Sequence, residues 1–574
     1  MAGKAYPDVP LFRYDYTSLS QADIAAKLRD PALGGPGSAG VLEELGSADL
    51  RFTAEDGTAL SWQFAPGRRV SLDGGPPAGY GALTLDHVTL VAHLLPGTTR
   101  GYALAWDQHS GRATVTELWF GDGPAPEARE VNRAVWHGSI AGRAASPPAE
   151  MHGPTARVEG RALRWTEDTG MRTIDYYPSA AYSHWVELDR LKEGRGYSAP
   201  SDYIKLTEDL YLYTRTESEF SGLWHMYVMD MNRLEQVGLR LGFNAADELE
   251  YYMFRGTGEW LGQIARFEAF GDVSGDPLKI ENGAKGERRI YRPIETMDKL
   301  TPAEVARVVA ENTHVFDRTT PMAAHGLPPT GKLAGKSLAV DYDNGPHMEY
   351  RFDSADKLQW RMGAEGAWTS ARYNAWEGMP NVFIFGHLLE GMENHDGHIL
   401  VADLDSGMAT CFHGYLNTPF IANEAGAVTL FGKLSGDGIP DAGQQRHERT
   451  LDMLGHAFTW SYSPGLTSMH LYSSPNTVSW IIFTPDGHGG SEWSGSGDFV
   501  KIRDQLYFVR WQEEACNGTL GTILINMRTM HDSGIGYHCG EDGLSLSAVG
   551  AYARHAGHID VQPYLGEKQG GYPV

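Results

Sequence analysis

Apolar and polar residues alternate with a period of two along most of this chain. The alternating runs are short and are broken by glycine, proline, asparagine and aspartate. LYLYTRTE from Leu210 and LYFVRWQE from Leu506 show the pattern well. Side chains at i and i+2 share one face of a strand, so such runs predict half-buried β-strands. Four runs open with a turn glycine followed five residues later by an aromatic residue. The pairs are Gly57/Trp62, Gly160/Trp165, Gly345/Tyr350 and Gly455/Trp460. A turn followed by alternation reads as a hairpin. Only two stretches predict helices, one after Ser18 and one after Leu300. The second has Thr301 as N-cap, Pro302 in the first turn and Glu304 closing a capping box.

The strand pattern repeats. SDYIKLTEDLYLYTRTESEFSG from Ser201 aligns without gaps with GDFVKIRDQLYFVRWQEEACNG from Gly497, and Asp202, Lys205, Tyr211 and Glu217 meet Asp498, Lys501, Tyr507 and Glu513. Upstream, Trp165, Tyr177 and Trp185 meet Trp460, Tyr472 and Trp480. VTLVAHLLPG from Val88 faces VFIFGHLLEG from Val382, so His93 meets His387. The chain is thus two copies of one unit, each made of two related quarters. Many short strands in series mean barrels or sandwiches, and a closed barrel leaves no sheet edge exposed. The expected division is an N-terminal segment with a short helix (1–47), barrels at 48–150 and 151–290, a helix and linker at 291–335, and barrels at 336–440 and 441–574. The fold class is all-β.

At 574 residues the chain can bury several cores. Its 73 acidic against 48 basic residues give a net charge of −25, which disfavours nucleic acid and anionic membranes as partners. Cys411, Cys516 and Cys539 are too few for a disulfide framework and suit a reducing, cytoplasmic setting. The N-terminus has no apolar signal segment, and no apolar run is long enough for a membrane helix. HDGH at His395–His398 and the group His531, His538 and Cys539 do not match a zinc spacing, and no cofactor motif is present.

TIDYYPSAAYSHWV from Thr173, followed by YIKLTEDLYLYTRTE from Tyr203, resembles the bacterial phenolic acid decarboxylases. Their fold is a small lipocalin-like (calycin) barrel, and an acidic residue inside it acts on the substrate phenol. The resemblance puts Glu217 and Glu513 at that position. His184 and Ser479 replace that family's arginine before Trp-Val. Its carboxylate-holding tyrosine pair has no counterpart, as Thr155, Arg157, Thr450 and Asp452 stand nearby. The two-barrel unit, present twice, is similar to the MoaF family, which has N- and C-terminal lipocalin-like domains. The resemblance implies tandem antiparallel calycin barrels, four in two duplicated units.

Arg215 and Trp511 lie two residues before the glutamates and should share their inward face. A carboxylate in an apolar barrel has a raised pKa and can serve as acid or base; the alternative is a solvated or arginine-paired glutamate. His93 and His387 align with Arg215 and Trp511, while Leu95 and Leu389 stand where the glutamates would be. They are proton-transfer candidates or core histidines bonded to backbone. Tyr177 and Tyr472 could hold a phenol or carboxylate, and His184 could contact substrate in place of the arginine. Each could equally be packing, which is the expected role of Trp62, Trp165 and Trp460. The expected activity is a cofactor-independent carbon–carbon or carbon–oxygen lyase (decarboxylase, dehydratase or isomerase type). Its partner would be a small aromatic molecule held inside a barrel. The alternative is a non-enzymatic lipocalin-like binding protein. The sequence leaves open the substrate, the active barrel and the oligomeric state.

Overall fold

A computed structural model describes residues 19–29, 31, 33–34, 42–121, 127–142, 152–189, 196–217, 222–244, 246–266, 287–288, 299–316, 321–419, 421–483, 492–513 and 517–565. Cys516, most of the N-terminal segment and the C-terminal tail lie outside them. The structure is all-β, with four antiparallel barrels and three short α-helices among the described residues.

The first barrel spans Asp49–Ile140 and closes when its first strand, Asp49–Ala54, pairs with its last, Val131–Ile140. The second runs from Arg161 to Gln263 as one closed ring. Tyr182–Glu187 pairs with Gly196–Lys205, and Arg161–Glu167 pairs with Leu249–Gln263. The fourth closes likewise through His456–Ser463 and Tyr552–His558. In the third, Ser337–Ser435, the ladder ends at Thr369–Arg372 and Asn374–Met379. These are the two halves of one strand kinked at Tyr373, so the chain itself completes the circle.

The aromatic residue of each quarter lies in a barrel interior: Trp62, Trp165, Tyr350 and Trp460 all belong to separate interior clusters. They do not lie on equivalent strands. Trp62 and Tyr350 are on the second strand of their barrels, Trp165 and Trp460 on the first. The odd barrels begin with an additional strand, Asp49–Ala54 or Ser337–Tyr342. This corrects one expectation. Counted from the aromatic strand, and taking the kinked strand as one, His93 and His387 fall one strand short of Arg215 and Trp511.

The barrels stack in the order first, second, fourth, third. Aliphatic rows on their outer faces fuse into three seams. Leu90, Ala105 and Val131 of the first barrel meet Leu212, Met226 and Leu239 of the second, with Ile24 of the first helix (Gln21–Lys27) and Leu28 at its C-cap. Ile174 and Val186 of the second meet Leu471 and Ile481 of the fourth. Ile384 and Phe412 of the third meet Phe508 and Leu524 of the fourth, with Val305 and Val308 of the helix Pro302–Glu311. Both helices carry the capping box: Ser20 with Asp23, and Thr301 with Glu304.

The aligned aspartates Asp202 and Asp498 turn out to serve these seams. Arg133, on the last strand of the first barrel, donates from Nε to Asp202, and both are buried. Thr429, on the last strand of the third, donates to Asp498 at 2.6 Å, and Arg449 also binds Asp498.

Candidate functional site

The second barrel gathers a set of polar side chains on an inward face. Strand Leu210–Thr216 pairs with Trp224–Asp230, which pairs with Glu235–Phe243. Register sets Arg215 opposite His225 and His225 opposite Arg240. It also lines up Tyr203, Tyr213 and Tyr227 across three strands. Their rings stack at centroid distances of 5.2 and 5.1 Å. Gly258 leaves the floor open for Trp165, since a Cβ there would stand 2.8 Å from its ring.

Three of these groups form a chain. His225 Nε2 lies 2.9 Å from Glu217 Oε1, and the Tyr227 hydroxyl lies 3.0 Å from His225 Nδ1. Burial lowers the His225 pKa to about 3, so the ring is neutral near pH 7. A neutral imidazole donates from one nitrogen and accepts at the other. With the carboxylate accepting at Nε2–H, Nδ1 accepts from the tyrosine O–H. Arg240 lies 3.6 Å from the same Glu217 oxygen and also binds Glu250. Beside the chain, Arg215 Nη1 donates to Asp175 at 2.6 Å. Its guanidinium sits 4.3 Å over the Trp185 ring and 5.4 Å from Tyr227. Burial pushes Glu167 in this barrel up to about 7.

The other expected site residues are spread over the molecule. Tyr177 is inside the second barrel, where Trp165 Nε1 donates to its hydroxyl at 3.0 Å. His184 is not in that interior. Strand Tyr182–Glu187 is buried on both faces; Trp185 turns inward and His184 outward. His184 bonds Ser198 at 3.0 Å and, across the seam, Ser473 of the fourth barrel at 2.6 Å. It is a seam residue, and the expectation that it contacts substrate is corrected. Trp511 and Glu513 lie in the fourth barrel, where the indole donates to the carboxylate at 3.1 Å. Gly521 opposite makes room for that indole. Tyr472 packs between Phe458 and Phe499. His93 accepts from Trp62 Nε1 at 2.9 Å and stacks on Tyr102. His387 bonds the Leu388 carbonyl at 3.0 Å. Burial lowers both histidines to about 4.

Trp62→Phe should therefore destabilise the protein by about 1–3 kcal/mol, since His93 Nε2 would be left buried and unbonded. The shift of the urea midpoint measures it. A second expectation concerns pH. Burial raises Glu167 and Glu513 to about 7 and Asp532 to about 8. Each raised carboxyl contributes stability that is complete below the unfolded carboxylate pKa and is lost as pH climbs through the folded value. The thermal midpoint should fall between about pH 5 and pH 8, and Asp532→Asn should flatten the upper part of that decline.

His225, Tyr227, Asp175 and Arg240 were missed in the sequence. Asp175 lies within the TIDY motif, and its position two residues before Tyr177 was the available signal. LWHMYVMD from Leu223 places His225 and Tyr227 at i and i+2, which marks a shared face. Among the described residues no group of three or more His, Cys, Asp or Glu is arranged to hold a metal ion.

Comparison with known proteins finds matches in the second half of the chain. Residues 319–418 match the MoaF N-terminal domain and residues 447–559 the MoaF C-terminal domain. The second half of the chain thus carries matches to both domains of the MoaF family. No curated protein matches significantly. A solved structure provisionally described as a β-lactamase from Burkholderia vietnamiensis aligns at 17% identity with a TM-score of 0.15. The alignment covers 18% of this chain and 94% of the other, and that TM-score is too low to carry any argument.

Proposed function

We propose that the second barrel is the active site of a cofactor-independent lyase acting on a small phenolic compound. The observation that carries this reading is the Tyr227–His225–Glu217 chain beside Arg215 in an aromatic-walled interior. The Tyr227 oxygen, its own hydrogen held by His225, is the group to exchange a proton with a phenol, and Glu217 balances charge arriving on the imidazole. Loss of the phenolic proton with protonation of the side-chain carbon gives a quinone methide. In a decarboxylation, loss of CO₂ then returns the electron pair to the ring as a phenolate, which is reprotonated. Arg215 supplies a cation for a substrate carboxylate or phenolate. The duplicated fourth barrel keeps Glu513 but has Arg510 and Trp511 where the second has Thr214 and Arg215, so the second is assigned the chemistry. We place the protein in the cytoplasm, which two buried, unlinked cysteines, Cys411 and Cys539, support. Among the described residues no helix is long and apolar enough to cross a membrane.

The test is Glu217→Gln on whichever phenolic substrate the wild type turns over. Loss of turnover with unchanged substrate binding supports the proposal. Unchanged turnover overturns it.

A further inference from the structure

The fourth barrel keeps acids on its inward face but lacks the arginines that serve such acids in the second. The second barrel sets Arg215, His225 and Arg240 across three neighbouring strands. The aligned residues of the fourth are Trp511, Gly521 and Gly536, paired in the same register. Arg510, next to Trp511, points out of the barrel, with its guanidinium 5.7 Å from the Phe412 ring of the third. Two acids remain inside. Glu513 shares the inward face with Trp511 and is half-buried. Asp532 is fully buried and stands opposite the interior residue Ile525.

Among the described residues no lysine or arginine acts on either acid. Glu513 accepts from the Trp511 indole, and Asp532 Oδ1 accepts from the Ala551 backbone N–H at 2.6 Å. Asp532 Oδ2 has no hydrogen-bond partner. Burial therefore holds both carboxyls above their usual range, Glu513 at about 7 and Asp532 at about 8. After burial itself, the charges of Asp532 and Glu513 both keep the Tyr462 hydroxyl protonated, so the two acids act on one interior space. An unpaired carboxyl in an apolar interior is costly, and a complementary cation removes that cost.

The walls suit a cation. Trp460, Trp480, Trp493 and Trp511 belong to one interior cluster, and an indole face attracts positive charge. His470 lies 5.2 Å from the Trp511 ring. Burial lowers its pKa to about 3, so it adds no competing charge. The inward face also has room: a Cβ on Gly536 would meet only Ser547 Oγ at 3.4 Å and Val549 Cγ2 at 3.7 Å. We infer that the fourth barrel binds a small protonated amine, with Glu513 and Asp532 as its counter-charge and the tryptophans as its walls. A protonated amine fits better than a quaternary ammonium ion because it has N–H donors for the unbonded Asp532 oxygen. The inference does not depend on the activity proposed for the second barrel.

The experiment is calorimetric titration of the full-length protein with benzylamine and with benzyl alcohol, its uncharged counterpart, in high salt that screens the acidic surface. Benzylamine should bind at least about tenfold more tightly, a difference worth about 1.4 kcal/mol. Glu513→Gln and Asp532→Asn keep the side-chain shape and should each reduce that preference, and the double variant should abolish it. Gly536→Leu, which fills the interior, should abolish binding of both probes. Glu217→Gln should leave binding unchanged. Equal binding of the two probes, no binding of benzylamine, or a preference that survives the double substitution would overturn the inference.

Discussion

Asp202→Ala is expected to cost about 3–5 kcal/mol of stability, because it strands the Arg133 guanidinium in the seam between the first and second barrels. Both members of the pair are almost wholly buried. Thr214 also donates to Asp202 at 2.8 Å and would lose its partner. A guanidinium cannot discharge itself by losing a proton, so the penalty has no escape through titration. Replacing both partners with hydrophobic residues of similar volume (Arg133→Met with Asp202→Leu) should recover most of the loss. Chemical unfolding of the single and double variants measures this. A single variant as stable as the wild type would show that the seam takes in water when the aspartate is removed.

Tyr227→Phe is expected to lower turnover about 10²- to 10⁴-fold while leaving the fold intact. The ring keeps its place between Tyr213 and Phe254, and only the hydroxyl that bonds His225 is removed. His225→Phe should cost a similar factor, and the double variant should cost little more than either single change, because residues acting as one unit are not additive. Additive losses would mean that the two side chains contribute separately and that the chain through His225 is not a unit.

The legibility of the site followed from burial. Glu217 could be read because Arg215 and Glu217 share a face with Tyr213 and Tyr211, and the register agrees with that parity. His225 and Tyr227 could not be picked out so easily. Their strand is apolar on both faces: Trp224, Met226 and Val228 fill the seam with the first barrel, while Tyr227 and Met229 face inward. A strand buried on both sides loses its alternation, and with it the sign of which residues point in. The same double burial hid the orientation of His184, whose outer face belongs to the seam with the fourth barrel. The duplication was plain because turn glycines and large interior aromatics recur. The added first strand of the odd barrels was not, since Asp49–Ala54 reads like any other alternating run.

The central claim, that the second barrel performs acid–base chemistry on a phenol without a metal, is tested most directly by product formation. Wild type, Glu217→Gln and Tyr227→Phe would be incubated with a panel of hydroxycinnamates and related phenolics in the presence of chelator. The expected result is one product formed by the chelated wild type and lost in both variants. Turnover that the chelator abolishes, or that survives both substitutions, would contradict the claim.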